Sequence, residues 1–97
     1  MFDGSNIIGT VAVSELESKS CELKSLYLLE QYQGMGYGKE MLIYAINQAK
    51  KYGYTKMFLD SLSTSTKAIA LYRRVGFNNT EKYNSSVYSD VFMVLDL

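Results

Sequence analysis

The sequence predicts an α/β domain built on a mixed sheet flanked by two helices, and three observations carry that prediction. An apolar strand runs through Leu28 and Leu29 into a turn with glycines at 34, 36 and 38, and then into an amphipathic helix. A short apolar strand, Met57-Phe58-Leu59-Asp60, follows that helix, so strand, helix and strand imply a right-handed crossover and parallel pairing. A second helical stripe then leads, after a polar connection, to a nearly continuous apolar run from Val91 to Leu97.

The elements follow in order. Met1-Phe2-Asp3 ends in Gly4-Ser5-Asn6, a turn joining two extended segments. Ile7 to Leu16 is rich in β-branched residues and reads as a strand, with Gly9 marking a bulge. After the polar turn Glu17-Ser18-Lys19-Ser20, the segment from Cys21 to Leu29 alternates. Leu23, Ser25 and Tyr27 are expected on one side, and Glu22, Lys24, Leu26 and Leu28 on the other. The helix after the glycine turn carries apolar residues at 41, 42, 45, 46 and 49 and stops with Lys50-Lys51-Tyr52-Gly53, cations then a glycine. Tyr54 to Ser61 is the next strand, and the polar run Ser61 to Thr66 suits a helix start. Ala68, Leu71, Tyr72 and Val75 stand at i, i+3, i+4 and i+7 of the second helix, which Gly76 ends. Asn78 to Asp90 is a tyrosine-bearing connection into the final strand.

Composition narrows the functions. A chain of 97 residues allows one small domain, expected to span residues 1–97 as a unit. With 47% hydrophobic and 21% charged residues it is not a disordered tail. Ten basic and ten acidic residues are scattered to a net charge of zero, which points to neither nucleic acid nor membrane as a partner. No apolar run approaches the roughly 18 residues of a membrane span, and no signal-peptide blocks open the chain, so a cytoplasmic protein is expected. The lone Cys21 reads as a small buried strand residue. Without histidine, the commonest metal ligand and general base are missing, and no metal is expected. Chemistry must run on tyrosine, carboxylates, backbone amides or water.

The glycine turn holds the sharpest chemical signal. Glycines at alternate positions leave backbone amides without side-chain cover, and a helix entered through them offers unpaired N–H groups and the positive end of its dipole to an anion. The plain alternative is a loop that needed positive φ. A nucleoside-triphosphate loop fails, because Lys39 is followed by Glu40 and the first glycine of that pattern would fall on Gln33. A dinucleotide fingerprint lacks its third glycine at Lys39, although Asp60 lies at about the expected distance.

What remains, Gln33-x-x-Gly36-x-Gly38, resembles the pyrophosphate loop of the GNAT superfamily of acyl-coenzyme A N-acyltransferases. Ala68-x-x-Leu71-Tyr72-x-x-x-Gly76-Phe77 resembles the second signature of the same superfamily, in its order and spacing, and Leu26-Tyr27-Leu28 falls where that family has a splayed strand. The resemblance covers Phe2 to the end. It implies a GNAT-like mixed sheet and acetyl-coenzyme A as co-substrate. Backbone amides of Gly34, Met35, Gly36, Tyr37, Gly38 and Lys39, with Gln33, would hold the pyrophosphate. Leu26 and Leu28 would line the pantetheine, and a backbone N–H around Leu28 would polarise the thioester carbonyl. Ser65 stands near the sulfur arm where many members have asparagine. Tyr72 would touch the coenzyme and donate a hydrogen bond or proton to the leaving sulfur. Lys39 and Lys67 are candidates for neutralising phosphates.

The resemblance leaves the general base open among Glu22, Lys24, Asp60 and a water relay, with Tyr83 and Tyr88 in the connection that often closes over substrate. The family generally has a further strand and two helices before the point matching Met1, so the chain reads as N-terminally truncated. The two helices here are expected on opposite faces, as in the family. The leading function is transfer of acetyl to a primary amine, on a small molecule or an exposed amino group. The alternatives are a non-catalytic acyl-coenzyme A binding or dimerising module and, more distantly, a dinucleotide-binding oxidoreductase fragment. A bare sheet face and free edge predict a homodimer.

Overall fold

A computed structural model describes residues 1–4 and 6–97; Ser5, the middle of the expected Gly4-Ser5-Asn6 turn, lies outside the described residues. The order of elements is β1 (Phe2–Asp3), β2 (Asn6–Ile7), β3 (Gly9–Glu17), β4 (Ser20–Leu28), α1 (Tyr37–Lys51), β5 (Lys56–Ser61), α2 (Thr66–Val75), β6 (Asn78–Asn79) and β7 (Val91–Asp96). A single 3-10 turn, Glu30–Tyr32, separates β4 from the glycine loop. β1 and β2 pair with each other, and the remaining strands form one sheet ordered β3-β4-β5-β7-β6. Only β4 and β5 are parallel, across the α1 crossover.

The core explains the placement of both helices. Leu42, Ala45, Ile46 and Ala49 of α1 join Cys21, Leu23, Met57, Leu59 and Met93 of the sheet, and Tyr72 and Phe77 at the end of α2, in one cluster. Both helices therefore lie on the same face of the sheet and touch each other. The expectation of opposite faces is overturned: Cys21, Leu23, Met57, Leu59 and Met93 gather on one side of the sheet, and that face receives both stripes. Each large apolar side chain so buried contributes about 1.5–3 kcal/mol, well above any difference in helix propensity.

The alternation expected for β4 breaks in the middle. Leu23 pairs with Val13 and Ser25 with Ala12, so Lys24 is an extra residue opposite no partner, a β-bulge. Beyond it the faces exchange. Leu26, paired with Val11, packs onto the helix-side core with Leu23, whereas Tyr27 is exposed. Gly9, by contrast, is not a bulge. A Cβ there would sit 2.8 Å from the Met41 sulfur and 2.8 Å from the Tyr27 carbonyl oxygen, so Gly9 permits the close approach of β4 and α1.

Both helices end alike. After α1, Gly53 at φ 88° donates to the Lys50 carbonyl and Tyr54 to that of Ala49. After α2, Gly76 at φ 121° donates to Arg73 and Phe77 to Tyr72. These are Schellman closures, and the second carries the apolar contact such closures favour, the Tyr72 and Phe77 rings meeting edge-on at 5.9 Å. The spacing Tyr72-x-x-x-Gly76-Phe77 is thus a helix-stop geometry that also fixes the tyrosine.

Gly9→Ala is expected to destabilise the fold by about 1–3 kcal/mol, because the new methyl meets a backbone oxygen that cannot move aside cheaply. Urea unfolding measures it; equal midpoints for variant and parent would refute the close-approach account.

Candidate active site

β4 and β5 share only three residue pairs, Ser20 with Lys56, Cys21 with Met57 and Glu22 with Phe58. From there β4 follows β3 as far as Leu28, and β5 follows β7 as far as Ser61. The sheet consequently opens into a wedge. Its closed end is at Glu22 and its open end at Leu28, about 20 Å away along six residues of strand. Leu26 and Leu28, the two strand residues expected at a coenzyme, line the β4 margin of this wedge and are half-buried.

The glycine loop stands at the open end. Gly34 and Gly36 adopt φ of 82° and 87°, and an added Cβ at either would meet nothing within 4 Å. Backbone conformation rather than crowding requires glycine here. Gly36 precedes α1 without any side-chain cap, and the first intrahelical bond is from the Glu40 amide to the Gly36 carbonyl. The N–H groups of Tyr37, Gly38 and Lys39 are thereby left for an external acceptor at the positive end of the helix. Gln33 donates from Nε2 to the Leu28 carbonyl at 3.0 Å, bracing the loop against the end of β4. Met35 and Lys39 are exposed, and Tyr37 packs near Tyr32. Gly38 lies against Leu71, which brings α2 alongside the loop; a Cβ there would be 3.6 Å from that side chain.

Tyr72 is buried at 9% exposure, held by Phe77, and among the described residues its hydroxyl has no hydrogen-bond partner. Burial pushes its phenol above the ordinary value, so it stays protonated. Ser65 is the residue before α2, half-buried, and makes no side-chain cap. Lys67 is exposed.

The closed end carries a network that spans three segments. Glu22 is buried, contrary to a solvated strand residue. Its Oε1 accepts from Lys24 Nζ at 3.1 Å, and its Oε2 accepts from the Tyr83 hydroxyl at 2.5 Å and from Asn84 Nδ2 at 3.2 Å. Asn84 Nδ2 also donates to Asp60 Oδ2 at 2.6 Å. Burial alone would raise the Glu22 carboxyl, but the hydrogen bonds from Tyr83, Lys24 and Asn84 and the charge of Lys24 outweigh it and hold the group below the ordinary carboxylate value. Glu22 is therefore ionised at neutral pH. The sequence singled out Glu22, Lys24, Asp60 and Tyr83, which the fold brings together, and Tyr88, which it leaves 84% exposed. It missed Asn84, whose only signal was its place beside Tyr83 in a polar connection.

Two solvent-open depressions lie elsewhere, one along the outer side of α1 from Gly36 to Lys51 and one between β3 and α1 at Val11, Ala45 and Tyr52. Neither includes Glu22 or Tyr72. The convergence of an amide-rich helix start, a strand wedge and a buried carboxylate identifies the candidate site better than a concavity does. Among the described residues no helix is long and apolar enough to cross a membrane, and no cluster of three metal-ligating side chains occurs.

Comparison with known proteins agrees with this geometry. Residues 1–77 match the family described as Acetyltransferase (GNAT) family. The chain is 34% identical over 92 residues to an uncharacterized N-acetyltransferase of Schizosaccharomyces pombe, an alignment covering 93% of this chain and 56% of that protein. Across this and two further curated relatives the chain spans 30–56% of their length. A GNAT-family acetyltransferase from Staphylococcus aureus superposes with a TM-score of 0.90 at 19% identity, over 99% of this chain and 64% of that one. A Bacillus subtilis acetyltransferase in complex with CoA does so at 0.87 and 21% identity, over 99% and 73%. At these identities the likeness is one of fold.

Proposed function

Because the chain belongs to the acetyltransferase (GNAT) family, we propose that residues 1–97 act as one unit that binds acetyl-coenzyme A along the β4–β5 wedge and transfers its acetyl group to a primary amine. The observation that carries this reading is the uncapped start of α1, with its free amides at the open end of a wedge whose closed end holds an ionised carboxylate.

In this reading the amides from Gly34 to Lys39 receive the pyrophosphate, and the arm of the coenzyme runs between β4 and β5 past Leu26 and Leu28. A backbone N–H on that margin of β4 polarises the thioester carbonyl; preorganised donors of this kind are worth about 3–4 kcal/mol. The amine nitrogen attacks the carbonyl carbon, the carbon–sulfur bond breaks, and the leaving sulfur departs as a thiolate. Tyr72, protonated and without a hydrogen-bond partner among the described residues, donates a hydrogen bond to that sulfur. Its raised pKa favours donation of a hydrogen bond over outright proton transfer. The proton lost by the amine passes along water in the wedge to the Glu22 carboxylate, which lies several residues of β4 beyond Leu26. The acceptor is a small amine or an exposed amino group. We place the chain in the cytoplasm, a reducing compartment that the lone free Cys21 suits.

One observation favours a second reading, a non-catalytic coenzyme-binding module that pairs with its own copy. Among the described residues no helix covers the sheet face opposite α1 and α2, and β3 has a free edge. The two readings share the coenzyme site and differ in turnover.

Gly36→Val forces a β-branched residue to a φ of 87° and is expected to weaken acetyl-coenzyme A binding at least about tenfold. Calorimetry checks this; unchanged affinity would remove the loop from the site. Tyr72→Phe is expected to lower turnover about 10–100-fold, the worth of a hydrogen bond to a charged group, with coenzyme affinity nearly unchanged. Thiol release across a panel of amines measures it, and an unaltered rate would return Tyr72 to a purely packing role. Light scattering at micromolar concentration is expected to show a dimer; a stable monomer would overturn the pairing proposal.

A further inference from the structure

We infer that Tyr83 and Asn84 are positioning residues for acetyl transfer, folding the β6–β7 connection over the sheet so as to fix the Glu22 carboxylate at the closed end of the wedge. This role rests on the acetyl-transfer reading above and deepens it by adding an element that the glycine loop and Tyr72 leave unexplained.

The connection is anchored from both sides. The Tyr83 ring packs on Phe58 of β5 at 4.9 Å and edge-on to Phe92 of β7 at 5.8 Å, which places it over the helix-free face beside the last β4–β5 pair. Its hydroxyl reaches Glu22 Oε2 at 2.5 Å. Asn84 spends its amide nitrogen on two acceptors, Glu22 and Asp60, and its Oδ1 accepts from the Ser86 amide at 3.0 Å. Two carboxylates on neighbouring strands would repel each other, and a neutral side chain that donates to both offsets that repulsion. An acid, a hydroxyl or an apolar residue at position 84 could not serve both acceptors in this way.

Consequences for Glu22 follow from every group around it. Lys24 on its own strand supplies the neighbouring charge, Tyr83 and Asn84 donate from the connection, Asp60 stands on β5 beyond Asn84, and Ser14 is its ladder partner on β3. The Tyr83 phenol is itself raised by burial, by its bond to Glu22 and by the charges of Glu22 and Asp60, so it remains a donor throughout the working range. Removing a donor to the ionised form disfavours that form, so the Glu22 pKa must rise in Tyr83→Phe. The acidic limb of the rate profile, which follows ionisation of Glu22, must then move to higher pH.

The test uses the full chain, acetyl-coenzyme A and three amine probes: an alkylamine, a diamine and a peptide with a free α-amino group. For Tyr83→Phe, the expected result is an acidic limb displaced to higher pH and about a tenfold loss of kcat, a fraction of what a positioned base supplies. Coenzyme affinity by calorimetry is expected to stay unchanged. Asn84→Ala, which leaves the aromatic packing untouched, is expected to show the same pattern and stands in if Tyr83→Phe fails to fold. Folded variants with parental limbs and parental kcat would overturn the positioning role alone. A parent chain that binds coenzyme but releases no thiol at any pH would overturn the acetyl-transfer reading, and this role with it.

Discussion

Three residue pairs between β4 and β5 are the constraint on which the rest depends. Among the described residues they are the only ladder joining β3–β4 to β5–β7–β6, and they are parallel, so the chain must cross over through α1 to make them. The crossover delivers the α1 stripe onto the face where Cys21 and Met57 meet, both fully buried. Past Glu22 the strands part. The bulge at Lys24 increases the twist of β4 and keeps it with β3, while β5 spends its whole length on β7. A longer ladder would have closed the sheet and left no room between the strands.

The wedge so formed has ends of opposite electrostatic character. Its open end receives the positive pole of α1 and amides bared by glycines at positive φ. Its closed end holds the Glu22 carboxylate, bridged to Asp60 by Asn84 and ionised because its three donors, Lys24, Tyr83 and Asn84, outweigh the cost of burial. In the proposed reading an anionic co-substrate is attracted at one end only, and its reactive portion is directed along the strands. Tyr72 lies on the helix side, held by the Schellman closure at Gly76, whereas Glu22 and Tyr83 lie on the opposite face.

Most of the local structure was legible in the residues themselves. The stripe at 41, 42, 45, 46 and 49 is the buried face of α1, Cys21 is a buried strand residue, and both helices stop where Gly53 and Gly76 follow them. Periodicity and positive-φ glycines act over a few residues, so a linear chain displays them. Gly34 and Gly36 are legible for the same reason: the positive φ they permit is their own, and the anion site proposed there rests on it.

Tertiary structure decided what depends on distant partners. The face of Leu26 turns on the Lys24 bulge, which exists only as a register between β3 and β4. The shared face of the two helices turns on which side of the whole sheet collects Cys21, Leu23, Met57, Leu59 and Met93, which no single strand displays. The state of Glu22 turns on Tyr83 and Asn84, which lie 61 and 62 residues further along. In the sequence Glu22 is an ordinary charged residue on an alternating strand. Only when the β6–β7 connection returns across Phe58 does it become a buried, ionised group, because hydrogen bonds over such separations are set by packing and have no periodicity to betray them.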